Sequence, residues 1–186
     1  MEIYQPAEDS YLLSETLTNY LKNKIKNKEI NQEFSILDMG SGSGIQAETC
    51  KKLGFSDVLC VDINKEAIDY LKSKKLKSIK SDLFNNIDGK FDLIIFNPPY
   101  LPEDKKEPED SKLNTTAGKK GYEIIIKFLK QAKSHLNKNG VILLLFSSFS
   151  QPKIIIEKAK GLGYSLKQLS NQKLFFEELY VCELSL

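Results

Sequence analysis

The chain has 186 residues, of which 41% are hydrophobic and 28% are charged, with a formal net charge of +2. These values are typical of one soluble domain with a sizeable core, and no apolar run reaches the roughly 20 residues of a membrane-spanning helix. All 27 basic residues are lysine, so no arginine is present to clamp a phosphate or to read guanine.

The cysteines and the histidine limit which kinds of metal site and catalytic site the chain can form. Cys50, Cys60 and Cys182 form no CxxC or Cys/His pattern, so we expect free thiols and no metal site. The only histidine, His135, is predicted on the polar side of a helix, which excludes nucleophilic chemistry based on histidine. The N-terminus lacks the layout of a signal peptide, and we expect a cytoplasmic protein.

Apolar periodicity predicts helices that alternate with strands. The predicted helices cover residues 6–22, 45–53, 65–74, 122–136 and 152–162, and the fourth ends at Asn139-Gly140. The predicted strands cover residues 34–39, 57–62, 76–80, 91–96, 141–146, 164–170 and 175–184. A polar loop spans residues 101–120, and its length suggests a function beyond connection.

This order predicts an α/β fold with a seven-stranded, mostly parallel sheet, an antiparallel C-terminal hairpin and helices on both faces. We find no repeat and no second domain, so residues 1–186 are expected to form one domain. Residues 1–33 supply an N-terminal helix and a linker, which we expect to complete the ligand site.

The first strand ends in a glycine-rich turn with glycines at positions 40, 42 and 44. A dinucleotide fingerprint requires the third glycine three residues after the second, and position 45 is isoleucine. The spacing therefore argues against a pyrophosphate-binding dehydrogenase. Three glycines in such a turn still allow a ligand to approach the bare backbone closely.

Acidic residues end the next two strands. Asp62 is the last residue of the second strand, where a carboxylate can accept hydrogen bonds from both ribose hydroxyls. Asp82 follows the third strand and can accept from an exocyclic adenine amine, with Leu83 against the ring. A surface position, or a helix cap in the case of Asp62, would explain either acid alone. Together with the glycines they predict an adenosine site without a phosphate site.

The fourth strand is uniformly apolar and stops abruptly at Asn97-Pro98-Pro99-Tyr100. The prolines cannot donate to a sheet ladder, and Pro98 holds Asn97 in an extended conformation. Open α/β sheets bind ligands at the carboxyl ends of their strands. We therefore predict that this tetrapeptide is the active site.

The order of glycine turn, two strand-end acids and Asn-Pro-Pro-Tyr resembles the class I S-adenosylmethionine-dependent methyltransferases that modify planar nitrogen. These include amino-purine methylases and HemK-type glutamine N5-methyltransferases. The resemblance implies that the Asn97 side-chain oxygen and the Pro98 carbonyl accept the two N–H groups of the substrate nitrogen. Tyr100 would stack on the planar group, while Pro98 and Pro99 keep the carbonyls rigid.

Two further segments point to one branch of this family. Residues 4–13 (YQPAEDSYLL) resemble the opening of the archaeal and eukaryotic release-factor branch, and residues 174–181 (LFFEELYV) resemble its ending. Residues 117–123 (AGKKGYE) resemble the family's A-G-G-x-x-G-R-E, but Ala117 replaces its first glycine and Tyr122 replaces its arginine. The Ser10 hydroxyl would help hold the methionine carboxylate. The implied cofactor-binding residues are Tyr4, Pro6, Ser10, Asp38, Gly40, Gly42, Gly44, Asp62, Ile63, Asp82, Leu83 and Asn97.

The branch implies methylation of the glutamine in the Gly-Gly-Gln motif of a class I peptide chain release factor, with a small zinc-ribbon activator completing a heterodimer. One alternative is methylation of an amino-purine in rRNA, tRNA or DNA, which Asn-Pro-Pro-Tyr would serve equally well. Lysines in residues 105–120 favour it, while the near-neutral charge and the missing arginines count against it. A third hypothesis is a cofactor-binding scaffold without catalysis.

Overall fold

The computed structural model describes residues 3–101 and 118–186. The predicted 101–120 loop therefore lies largely outside the described residues, as does Ala117. The described helices are α1 (Glu8–Lys26), α2 (Ile45–Lys52), α3 (Lys65–Ser73), α4 (Glu123–Ala132) and α5 (Pro152–Gly161). The strands are β1 (Ile36–Met39), β2 (Val58–Asp62), β3 (Ser78–Lys80), β4 (Phe91–Phe96), β5 (Leu136–Ser147), β6 (Ser165–Lys173) and β7 (Glu178–Ser185).

The seven strands form one sheet in the order β3-β2-β1-β4-β5-β7-β6. The pairs from β3 to β5 are parallel, whereas β7 is antiparallel to both β5 and β6. This arrangement confirms the predicted mostly parallel sheet with an antiparallel C-terminal hairpin. Among the described residues, no helix has the length and apolarity needed to cross a membrane.

Successive side chains of each strand point to opposite faces of the sheet, where they pack into two apolar layers. In β4, Leu93 and Ile95 pack with α1, α2 and α3, while Ile94 and Phe96 pack with α4 and α5. All four side chains are at most 2% exposed. A strand buried on both faces explains why residues 91–96 read as a continuous apolar run.

The boundary between α4 and β5 differs from the prediction. The helix stops at Ala132, a 3-10 turn covers Lys133–His135, and β5 starts at Leu136, which pairs with Phe91. The sequence Asn139-Gly140 does not end a helix but lies within β5, beside a register shift between Phe91 and Leu93. Asn139 has φ +67°, and a Cβ on Gly140 would lie 2.8 Å from the Phe91 carbonyl oxygen. The Asn-Gly pair thus shapes an irregular strand.

His135 was predicted on the polar side of a helix, but it ends the 3-10 turn that follows α4. Its ring is half-buried and stacks on Phe84 with the ring centroids 4.5 Å apart, and Nδ1 lies 2.9 Å from the Gly89 carbonyl oxygen. The ring therefore helps to fix the turn before β4. His135 does not line the cavity described below.

Candidate active site

The chain changes direction in the sheet between β1 and β4. From β1 the sheet proceeds through β2 to β3 on one side, and from β4 to β5 on the other. Such a switch point opens a crevice at the carboxyl ends of the strands. A cavity of about 600 Å³ lies there, lined by the segments that follow β1, β2, β3 and β4 and by residues of α1 and α4.

The glycine turn after β1 forms part of the wall of this cavity. Gly40 and Gly42 line it, and all three glycines have positive φ, at +63°, +49° and +83° in chain order. A Cβ on Gly44 would lie 2.7 Å from Leu71 and 2.9 Å from Leu76, so this glycine serves close packing of α2. The turn combines exposed backbone for a ligand with a tightly packed helix start.

Asp62 is bound to the glycine turn. One of its carboxylate oxygens accepts from the backbone N–H of Gly42 at 2.8 Å, and the other accepts from that of Asn64 at 2.8 Å. A carboxylate has about four acceptor sites, so each oxygen retains capacity for a ligand hydroxyl. Burial raises the pKa of Asp62 above its usual value, while the backbone donors at Asn64 and Gly42 oppose that rise.

Asp38, at the end of β1, is 2% exposed and lines the same cavity. Its carboxylate accepts from the backbone N–H of Ala47 at 3.3 Å, which satisfies one of the free donors at the start of α2. Burial raises the pKa of Asp38 to about 7, and the nearby Asp62 adds to the rise. Asp38 is thus a buried acid that a neighbouring cation would hold in its charged form.

The lining of the cavity also includes Asp82, Leu83 and Ile63. Asp82 pairs with Lys127 of α4 at 2.8 Å, which holds the carboxylate at the cavity edge. Leu83 is buried although its φ is +49°, a left-handed conformation that costs energy for a residue with a Cβ. Ile63 is 47% exposed and presents apolar surface to the cavity. The three residues offer an acceptor beside apolar walls.

Asp9, at the start of α1, connects the N-terminal segment to the end of β4. One carboxylate oxygen accepts from the Tyr4 hydroxyl at 2.8 Å and from the Ser10 hydroxyl at 3.2 Å. The other accepts from Nδ2 of Asn97 at 3.0 Å. Asp9 is 4% exposed, and burial together with its charge raises the pKa of Tyr4. A single buried carboxylate therefore organises three predicted site residues.

The bond from Asn97 to Asp9 fixes the orientation of the Asn97 carboxamide. A carboxylate only accepts, so the Asn97 NH₂ group must face Asp9 and the oxygen must face away. That oxygen, Oδ1, is buried and has no hydrogen-bond partner among residues 3–101 and 118–186. Unpaired buried acceptors are rare in folded proteins and call for an explanation. A ligand N–H group would satisfy this one.

Tyr100 lies beside the cavity rather than in its lining. Its carbonyl oxygen accepts from the Ser150 hydroxyl at 3.1 Å, and its side chain packs, as Leu174 does, against the apolar layer that contains Leu179 and Val181. Burial raises the pKa of its hydroxyl, and the charges of Asp9 and Glu177 add to the rise. Tyr100 thus stands on the β6–β7 side of the site, where Phe175 and Phe176 are more than 80% exposed.

The structure brings most of the predicted site residues to this one cavity. The lining includes Tyr4, Ser10, Asp38, Gly40, Gly42, Asp62, Ile63, Asp82, Leu83, Asn97, Pro98 and Pro99. Pro6, Gly44 and Tyr100 are outside the lining. No group of three histidine, cysteine or acidic side chains suited to a metal occurs within the described part of the chain.

Sequence reasoning gives no role at the site to Asp9, Gln46 or Lys127. From the sequence, Asp9 is a charge that complements the dipole of α1, and its place in the N-terminal string of residues 4–13 is the one available signal. Gln46 and Lys127 belong to helices whose patterns indicate only exposure or burial. Their side chains reach the cavity because of the way α2 and α4 pack on the sheet.

A Rossmann-like sheet with a cavity at its β1/β4 switch point defines the fold of the class I methyltransferases, and the comparisons agree. The family model for the methyltransferase small domain matches residues 13–173. The chain belongs to this family. It is 40% identical to a putative protein N5-glutamine methyltransferase of Methanocaldococcus jannaschii, over 97% of this chain and 90% of that protein. It is also 37% identical to the release factor glutamine methyltransferase of Borreliella burgdorferi, over 59% of this chain and 43% of that protein.

Comparison with solved structures supports the same fold. The Mtq2-Trm112 complex of E. cuniculi, described as responsible for methylating the translation termination factor eRF1, matches with a TM-score of 0.75. The two chains are 24% identical, and the match covers 99% of this chain and 98% of that one. The family and the fold imply S-adenosylmethionine as the methyl donor. The acids and the glycine turn that line the cavity fit that group.

Proposed function

We propose that the protein transfers a methyl group from S-adenosylmethionine to the side-chain amide nitrogen of the Gly-Gly-Gln glutamine in a class I peptide chain release factor. The observation that carries the proposal is the Asn97 carboxamide, whose NH₂ group is held by Asp9 while Oδ1 is buried and unpaired. The names of the two glutamine methyltransferases above support the choice of substrate.

The glutamine amide is a poor nucleophile because its nitrogen lone pair is delocalised into the carbonyl group. In the proposed complex, Oδ1 of Asn97 and the Pro98 carbonyl each accept one N–H of the substrate nitrogen. These two bonds orient the nitrogen and favour the pyramidal geometry that it needs for attack. The N–C bond would form as the methyl–sulfur bond breaks, which leaves S-adenosylhomocysteine, and one N–H proton, made acidic by the alkylation, would then leave to solvent. Pro98 and Pro99 restrict the backbone, so the acceptors are aligned before binding. Tyr100 would contact the planar amide from the β6–β7 side.

The cofactor supplies a methyl group on a positively charged sulfur. We infer that Asp62 accepts the ribose hydroxyls and Asp82 the adenine amine, with Leu83 and Ile63 against the ring. Gly40 and Gly42 would allow close approach of the backbone. Asp38, Ser10, Tyr4 and Pro6 would form or support the end that receives the amino-acid tail. Because the Ser10 hydroxyl donates to Asp9 in this structure, it would have to rotate to donate to the cofactor carboxylate.

We also propose a small zinc-ribbon activator as a partner. The E. cuniculi structure contains a methyltransferase of similar fold in complex with Trm112. The test therefore uses the purified protein with and without the Trm112-like protein of the same source, labelled S-adenosylmethionine, and the cognate release factor, rRNA, tRNA or DNA. Label on the release factor that disappears when the Gly-Gly-Gln glutamine is replaced supports the proposal. Label on nucleic acid alone would instead assign an amino-purine substrate.

A further inference from the structure

Gln46 is the second residue of α2, and it lines the cavity with Ser10 and Asp38. Only 4% of the residue is exposed. A polar side chain at such a position in a short helix requires partners for both ends of its carboxamide. Gln46 has no role in the function proposed above.

The orientation of this carboxamide follows from its hydrogen bond to Ser10. Nε2 of Gln46 donates to the backbone carbonyl of Ser10 at 2.9 Å. A carbonyl oxygen only accepts, so the NH₂ group must face Ser10 and the side-chain oxygen must face away from it. That oxygen, Oε1, is buried and lacks a partner within the described ranges 3–101 and 118–186. The site therefore presents a second unpaired acceptor besides Oδ1 of Asn97.

The surroundings of Gln46 favour a positively charged donor. The Asp38 carboxylate accepts from the backbone N–H of Ala47, the next residue after Gln46, so the acid and the amide share the start of α2. Among the described residues that line the cavity, the only lysine is Lys127, which pairs with Asp82. The negative charge near Gln46 is thus not balanced by a lysine of the lining.

S-adenosylmethionine has few groups that can donate a hydrogen bond. The ribose hydroxyls and the adenine amine are assigned above to Asp62 and Asp82, and the carboxylate and the sulfonium have no proton to donate. The remaining donor is the α-ammonium group. We propose that Oε1 of Gln46 accepts a hydrogen bond from this α-ammonium and so positions the amino-acid tail of the cofactor. The inference rests on the proposed use of S-adenosylmethionine.

The competing role is a purely structural one, in which Gln46 only ties α2 to Ser10. The two roles are separated by calorimetry with two ligands, S-adenosylhomocysteine and its analogue in which hydrogen replaces the α-amino group. Gln46→Met keeps the length of the side chain but removes both polar atoms. Gln168→Met, on an exposed position of β6, is the matched control.

We expect Gln46→Met to weaken binding of S-adenosylhomocysteine on the order of tenfold or more, the effect of losing a charge-assisted hydrogen bond. Binding of the deaminated analogue should change less than about twofold, because it has no ammonium to lose. Gln168→Met should leave both affinities unchanged. An equal loss for both ligands, or no loss for either, would overturn the inference.

A second variant guards against a folding defect. Gln46→Glu keeps an acceptor oxygen but cannot donate to Ser10, so it should still favour S-adenosylhomocysteine over the deaminated analogue. Loss of that preference would contradict a direct contact. If the wild-type protein binds neither ligand, the proposed cofactor fails together with the inference. If it binds the cofactor but methylates no release factor, only the proposed substrate fails.

Discussion

Asp9 decides which way the Asn97 carboxamide faces, although it makes no proposed contact with either substrate. Its carboxylate is a pure acceptor that holds Nδ2 of Asn97 at 3.0 Å. Asp9→Asn would offer both a donor and an acceptor, so either orientation of Asn97 becomes available. We expect kcat to fall by roughly ten- to a hundredfold, with a smaller loss of cofactor affinity because Asp9 also holds Tyr4 and Ser10. Asp69→Asn, on the exposed face of α3, is the control.

Asn97→Ala provides the reference for that positioning effect. Removing the acceptor itself should cost roughly 2–4 kcal/mol in the transition state, while folding and cofactor binding survive. Single-turnover rates and calorimetry on the same preparation measure the two quantities. An unchanged rate would remove Asn97 from the reaction. A larger loss for Asp9→Asn than for Asn97→Ala would show that Asp9 does more than orient the amide.

Asp38 should make cofactor binding dependent on pH. Burial raises its pKa to about 7, and Asp62 adds to that rise, while Ala47 and Ser41 oppose it. The ionised carboxylate attracts the α-ammonium of the ligand and the protonated form does not, so affinity should fall as the pH falls. We expect about a tenfold loss or more for S-adenosylhomocysteine between pH 7.5 and 5.5. Asp38→Asn should flatten the profile, and an unaltered slope in that variant would exclude Asp38 as its source.

Gly44 connects the glycine turn of the site to α2 and packs against the apolar core. It has φ +83° at the start of α2, and a Cβ there would approach Leu71 and Leu76 to less than 3 Å. Gly89 also has a positive φ, +93°, but a Cβ on Gly89 would have no atom within 4 Å. Gly89→Ala should therefore lower the free energy of unfolding by roughly 1–2 kcal/mol through backbone strain alone.

Gly44→Ala should cost a further amount of roughly 1–3 kcal/mol, because the core must move to accept the methyl group. Urea unfolding of the two variants and the wild type measures the difference. Equal losses in the two variants would mean that Leu71 and Leu76 move aside freely. Such a result would refute a packing role for Gly44.

Helices and strands with a clear apolar pattern could be predicted from the sequence. Segments that join the sheet only through contacts with a neighbouring strand were harder to predict. The run 91–96 is a strand both in the prediction and in the structure, and α2, α3 and α5 begin where predicted, at residues 45, 65 and 152. The start of β5 was missed because residues 136–140 have no apolar alternation. They join the sheet through tertiary contacts, including the bond from Nδ2 of Asn137 to Asp92 at 2.7 Å. Asn-Gly indicates a left-handed residue but does not tell whether a helix end or a strand irregularity uses it.

The residues of the site also divide into those that the sequence predicts and those that it does not. The residues at strand ends could be predicted, because parallel strands bring their carboxyl ends to one edge of the sheet. Asp9, Gln46 and Lys127 could not, because they reach the cavity from helices whose rotation on the sheet is set by packing. Which oxygen remains unpaired on Asn97 or Gln46 depends on three-dimensional neighbours alone.

The charge of the whole protein distinguishes the proposed substrate, a release factor, from the main alternative, a nucleic acid. The net charge is +2 and every basic residue is lysine. Lys127, the lysine that lines the described part of the cavity, is already paired with Asp82. Binding of a protein substrate by the Asn97 site and the exposed Phe175 and Phe176 should depend little on ionic strength. A nucleic acid that contacts six or more phosphates should lose about 10³-fold or more in affinity between 50 and 200 mM salt.

We therefore expect kcat/KM for methylation of the release factor to change by less than about tenfold over this salt range. KM for S-adenosylmethionine, measured in the same assays, serves as the internal control for any effect of salt on the enzyme. A nucleic acid that is methylated with a steep salt dependence, beside an inactive release factor, would reverse the assignment. The shared acceptor chemistry of Asn97 and Pro98 would remain, because both substrates present an amino group on a planar system, and only the surface around it would need a new explanation.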